Sequence, residues 1–216
     1  MVKRVKLGSG VIMKKLTGAI SILIFFLSGT LQAQEAKPRY SVFGGKPDER
    51  ACVRIEFFDN VKKLIQQVAI DYGTPAWKKE YEDAKNFDAM TKGKIWRMGS
   101  NFWSRLESYV PLKISGKRLA AGTWYIGLRR SPEGNEWSMV FIDPTKARAA
   151  GIYDAFRINE APVEISAPLT IEKATEIKEK LTVTITPQKD EVKNATVRIA
   201  WGQLQLSAPI EVELPN

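Results

Sequence analysis

The feature that most limits what this chain can fold into is a two-residue rhythm of apolar side chains. Val53, Ile55 and Phe57 alternate with Arg54 and Glu56, and Val68, Ile70 and Tyr72 share one parity. The same spacing returns in Trp124, Ile126 and Leu128, and then in Trp137, Met139 and Phe141. It returns again in Leu181, Val183 and Ile185, and in Val197, Ile199 and Trp201. Side chains in a strand alternate between faces, so each run buries one face and shows the other to water. Turn formers separate the runs. The densest is Ser131-Pro132-Glu133-Gly134-Asn135, between the two runs that form the clearest hairpin. Gln188–Asn194 forms a polar turn, and Gln203–Leu214 supplies a last strand, bent or broken at Pro209. About eight or nine short strands at this spacing predict an all-β, antiparallel β-sandwich or barrel, with the sandwich preferred. A parallel α/β fold would need a helix between strands, and no such alternation is present. Residues 76–93 are charged and rich in helix formers, which predicts a short helix or long loop inserted between strands. Thr170–Lys180 reads as a second short helix, and Asp143–Asp154 as a looser stretch.

The first 33 residues follow a different logic. Lys3, Arg4, Lys6, Lys14 and Lys15 precede an apolar run from Leu16 to Leu27, and Leu31-Gln32-Ala33 closes the segment. A basic region, an apolar core of about 7–15 residues and a small residue at the cut describe a secretory signal peptide. Cleavage is expected after Ala33. Met13 starts a complete leader of its own, so Met1 and Met13 are both candidate starts. A membrane anchor is the competing reading, but a spanning helix needs about 20 apolar residues. The expected organisation is a signal peptide over 1–33, a lead-in over 34–50 and one domain over 51–216. The expected location is periplasmic or secreted, with no membrane span after cleavage.

Composition narrows the chemistry. The 33 basic and 24 acidic residues give +9, but the leader holds five basic and no acidic residues, leaving 28 against 24 and +4. No basic stripe lies along a helical face, so no nucleic-acid partner is expected. Histidine is absent. A serine–histidine–aspartate triad and any zinc site built on imidazole are therefore excluded. No glycine-rich nucleotide loop and no calcium loop of the D-x-D-x-D-G kind occurs, and no cofactor is expected. Cys52 is the single cysteine, so no intramolecular disulfide can form. Within ACVRIEFF it reads as a small buried apolar residue rather than a nucleophile. Carboxylates at Glu80, Glu82, Asp83 and Glu107 are not fixed at the separation of about 5–10 Å that glycoside hydrolysis needs.

The stretch KIWRMGSNFWSRLES, residues 94–108, concentrates polar and aromatic groups. Parity places Trp124, Trp137 and Trp201 on apolar faces as core. Trp103 instead groups with Arg105, Glu107 and Tyr109 on a polar face. An aromatic ring beside Arg97 and Asn101 suits a sugar or peptide, because the ring stacks while the polar groups direct hydrogen bonds. Trp96, Arg97, Asn101 and Trp103, with Tyr72, form the candidate ligand surface. A structural role competes with it: Arg97 in an ion pair, Asn101 serving a turn, Trp96 closing the core.

Four segments in order carry a resemblance. They are Asp71-Tyr72-Gly73-Thr74-Pro75, Trp96-Arg97-Met98-Gly99-Ser100-Asn101, Gly116 to Trp124 (GKRLAAGTW), and Glu136 to Phe141 (EWSMVF). Ala200-Trp201 and the strand into Pro209-Ile210 complete the pattern. Over residues 65–212 the chain resembles the bacterial secreted family termed domain of unknown function 2911. Thr74 stands where that family usually has arginine, and Trp77–Phe87 stands where it has a Gly-Arg element. The resemblance implies an exported β-sandwich-type domain and brings no catalytic residue.

The leading expectation is a non-catalytic exported domain that binds a glycan or peptide. An envelope scaffold that engages a protein partner through a strand edge is the alternative. A hydrolase using carboxylates or Cys52 is the third reading.

Overall fold

A computed structural model describes residues 48–214, within a unit spanning Gly45–Asn216. The expected signal peptide lies outside the described residues, as does the expected lead-in up to Pro47. The antiparallel all-β class holds. Twelve strands among the described residues join in one hydrogen-bonded sheet. They are β1 (Arg50–Phe58), β2 (Leu64–Gly73), β3 (Ile95–Trp96), β4 (Ser104–Ser108), β5 (Leu112–Ile114) and β6 (Lys117–Leu119). Then follow β7 (Gly122–Arg130), β8 (Trp137–Ile142), β9 (Ile165–Ile171), β10 (Lys178–Gln188), β11 (Glu191–Gly202) and β12 (Leu204–Val212).

The main path runs β1-β2-β4-β7-β8-β9-β12-β11-β10. β9 turns the corner. Residues Ile165 to Leu169 pair with β8, whereas Thr170 and Ile171 pair with β12. The sheet therefore divides into two layers. Val68, Leu106, Ile126 and Met139 of the first layer share one core with Val183, Val197, Ile199 and Leu206 of the second. A strand that switches layers at a bend is one way sandwiches make corners. Tyr72 fastens the layers directly, since its hydroxyl accepts the Val183 N–H at 2.9 Å.

The first layer also buries part of its outer face. Ile95, Trp103, Val140 and Ile142 form a second core beneath α2 (Pro144–Ala149) and the 3-10 turn Ala155–Glu160. Asp143 caps α2 through Thr145 N–H, with proline in its first turn.

Residues 76–93 do hold a short helix, α1 (Ala84–Thr91), behind a 3-10 turn at Lys79–Glu82. Two local expectations are corrected. Thr170–Lys180 is not a helix, because its ends are the close of β9 and the start of β10. Pro209 does not break β12. It pairs with Thr196, and its carbonyl accepts the Ser115 N–H at 3.0 Å. In a strand, N–H and C=O of one residue point the same way. The missing proline donor thus faces the gap between the β9 and β5 ladders, not β11.

Candidate functional site

The loop from β3 to β4 is where the sequence concentrates its polar and aromatic groups, and a tryptophan pins each end of it. Trp96 pairs with Leu128 and so faces the inner core. There it stacks on Trp201, centroids 4.6 Å apart and planes 16° apart. Trp103 goes to the opposite face of the same layer. It stacks on Tyr125 at 4.4 Å, and its indole N–H donates to the Tyr153 carbonyl at 3.2 Å. Trp103 is buried, which corrects the expectation of a partly exposed ring. Its parity with Arg105 was sound, but residues 153–158 cover that face here.

Between the pins the backbone is tightly seated. Met98 is fully buried, and the Ser104 hydroxyl donates to its carbonyl. Gly99 has φ of 144° and lies against Gly73. A Cβ on Gly73 would fall 2.6 Å from the Ser100 nitrogen. Two of the segments that carry the family resemblance therefore interlock at this point.

What remains at the surface differs from the expected set. Arg97 is half-buried and lays its guanidinium on the Phe156 ring, 3.8 Å from the centroid. Burial lowers its pKa from the ordinary arginine value, and Asp154 opposes that shift. Its Nε is buried with no hydrogen-bond partner among the described residues. Asn101, at φ of 63°, donates to Asp48 at 3.0 Å. Arg50 donates to Asp71 and to the Trp103 carbonyl, the latter at 3.0 Å, and lies 6.0 Å from the Phe102 ring. Phe102, Tyr153 and Phe156 are exposed by 50%, 72% and 62%. Of the five candidates, Tyr72, Trp96 and Trp103 thus have internal partners, whereas Arg97 lies on the exposed Phe156 ring and Asn101 donates to Asp48. Phe102 was legible in the quoted stretch. Tyr153 and Phe156 were not, because they sit about 50 residues away, Tyr153 in the stretch read as loose and Phe156 just beyond it, before alternation resumes.

Two other surfaces hold chemistry. On the outer face of β7, β8 and β9 a groove of about 680 Å³ is lined by Arg129, Asn135, Glu136, Ser138, Ser166 and Pro168, among others. The Ser166 hydroxyl donates to that of Ser138 at 2.9 Å. Further along that face, Cys52 borders a cavity of about 260 Å³ with Arg54, Asp71, Arg105 and Glu107. Cys52 is exposed, not buried as its apolar neighbours suggested. Among the described residues no group of three carboxylate or cysteine side chains could hold a metal ion. Nor is any described helix long and apolar enough to cross a membrane.

No curated protein and no solved structure matches the chain. The family model described as a protein of unknown function, DUF2911, matches residues 59–210, which take in the second core, most of the first and the pinned loop. That span is well over half of the 216 residues, and the chain belongs to this family.

Proposed function

We propose that this is an exported, non-catalytic binding domain that takes an extended peptide across the pinned loop and the 153–157 segment beside it. The observation that carries the reading is Arg97, whose guanidinium lies on the exposed Phe156 ring and whose buried Nε lacks a partner, with Phe102 of the same loop and Tyr153 of the adjoining segment exposed as well. Exposed aromatics beside arginine are the residues that dominate binding energy at protein surfaces. The anchoring tryptophans hold the backbone still, so little ordering cost opposes binding. Arg97 and Asn101 keep the role expected of them. Trp96, Trp103 and Tyr72 support the surface from within.

The groove on β7–β9 favours a second reading, a glycan. Hydroxyls of Ser138 and Ser166, the Asn135 amide, the Glu136 carboxylate and Arg129 offer directed hydrogen bonds, with Pro168 as an apolar wall. Its volume falls in the range of about 300–1,000 Å³ usual for ligand sites.

A peptide library and a glycan array, each probed with the parent, Arg97→Ala/Phe156→Ala and Arg129→Ala, separate the readings. The proposal expects peptide enrichment that the first variant loses and the second keeps. Glycan signal lost only in Arg129→Ala would move the site to the groove. No enrichment over the variants would retire both.

A further inference from the structure

We propose that the end of the sandwich opposite the pinned loop docks on an anionic phospholipid bilayer. β1 starts at the loop, where Arg50 contacts Trp103, and ends at Phe58. Beyond Phe58 lies the β1–β2 hairpin tip, residues 59–63. The β10–β11 tip, around residues 188–192, stands beside it. Phe58, Ile65, Pro187, Lys189 and Val192 border one groove of about 420 Å³ between the tips.

Both tips carry apolar side chains where a soluble surface would carry polar ones. Val61 is 80% exposed and Val192 69% exposed, with Phe58, Leu64 and Ile65 exposed behind them. Isolated exposed apolar residues need no explanation, but a contiguous group on two neighbouring tips marks an interaction surface.

Charge identifies the partner. Lys62, Lys63, Lys189 and Lys193 flank these residues, all exposed. None makes an ion pair among the described residues, whereas six lysines elsewhere do. Three carboxylates share the tips, Asp59, Asp190 and Glu191, so four lysines against three acids leave +1 there, and hydrogen bonds orient two of the acids without neutralising them. Asp59 accepts the N–H groups of Val61 and Lys63, each at 2.9 Å. Glu191 accepts from Asn194. Only Asp190 of the tip carboxylates has no such partner among the described residues. Protruding apolar side chains with free lysines around them match the headgroup–acyl boundary of an anionic leaflet. The chains enter the boundary and the ammonium groups meet lipid phosphates. The peptide surface at the other end of β1 would then face away from the membrane.

An environment-sensitive dye at Asn60→Cys in the full-length Cys52→Ser chain reads immersion of the tip. A matched label at Asn101→Cys reads the opposite end, which controls for attachment by any other part of the chain. The expected result is a blue-shifted emission at 60, not at 101, with vesicles of phosphatidylcholine and phosphatidylglycerol. The shift should be absent with phosphatidylcholine alone. It should need at least tenfold more lipid in Val61→Asp/Val192→Asp, whose substituted side chains are exposed and leave the core intact. No shift at 60, an equal shift at 101, or a shift that survives the double substitution would overturn the proposal. So would a blue shift that grows with protein concentration without lipid, since that would place a second copy on the tips.

Discussion

Trp103 and Cys52 show what strand parity reveals and what it does not. Parity put Trp103 on the face of Arg105, and its stacking on Tyr125 confirms that side. Exposure failed because the cover, residues 153–158, lies some 50 positions downstream in a segment without periodicity. Cys52 is the reverse case. Its alternation with Val53 and Ile55 already placed it beside Arg54, but its apolar character outweighed that signal. Stability should follow the structure. Trp103→Ala is expected to cost about 3–5 kcal/mol, in the range for removing a buried tryptophan. Arg97→Ala should cost under about 1 kcal/mol, because a half-exposed guanidinium over a ring contributes little. Urea unfolding of the two variants checks this, and equal losses would mean that Arg97 is structural. Cys52 should react with a thiol reagent in native buffer as fast as in urea; a large slowing in the native state would show it to be covered.

At the scale of elements, the alternating runs were legible because period 2 is a direct record of one buried face. The two-residue β3 carries no period at all. α2 had its signature in Asp143-Pro144, an N-cap and a first-turn proline, but six residues leave no room for a helical repeat. Thr170–Lys180 was misread because the β9–β10 connection carries charged residues that suit a helix, while pairing to β12 and β11 decided its ends. The 76–91 segment is held by aromatic contacts that no local pattern encodes. Trp77 meets Trp201 edge-on at 5.0 Å, and Tyr81 lies 5.2 Å from the same ring. The Trp201 indole donates to the Pro75 carbonyl at 2.9 Å. Gly202 permits this packing, since at φ of 59° a Cβ there would run into the Trp77 ring. Gly202→Ala should therefore free the segment at a cost of about 1–3 kcal/mol, typical of overpacking. Limited proteolysis should then cut within residues 78–92; an unchanged digestion pattern would contradict the packing. Tyr72→Phe should cost about 1–3 kcal/mol by leaving the buried Val183 N–H unpaired.

Across the whole molecule, the sequence predicted two layers but could not say how they join. β9 makes that join by changing partners in mid-strand, and nothing in its composition marks the residue where it does so. Acid stability offers a test at this scale. Arg157 holds the Glu160 carboxyl below the usual carboxylate range, and Arg118 does the same for Glu213, in each case mainly through hydrogen bonds. A depressed carboxyl stabilises the folded state above its unfolded value, near 4.5, and that contribution is lost as pH falls through the folded value. Both pairs are exposed, so Glu160→Gln/Glu213→Gln should change stability little at pH 7. Below pH 4.5 the double variant should lose stability less steeply than the parent. Parallel curves would show that the pairs do not form in solution.

The account depends most on Trp96 of the first layer lying flat on Trp201 of the second, which closes the core and fixes the loop that presents Arg97. Nuclear Overhauser spectra of the protein test that contact directly. Strong cross-peaks between the Trp96 and Trp201 indole protons, with upfield ring-current shifts, are the expected result. A Trp96 ring with solvent-like shifts and no cross-peak to Trp201 would contradict both the layered core and the placement of the site.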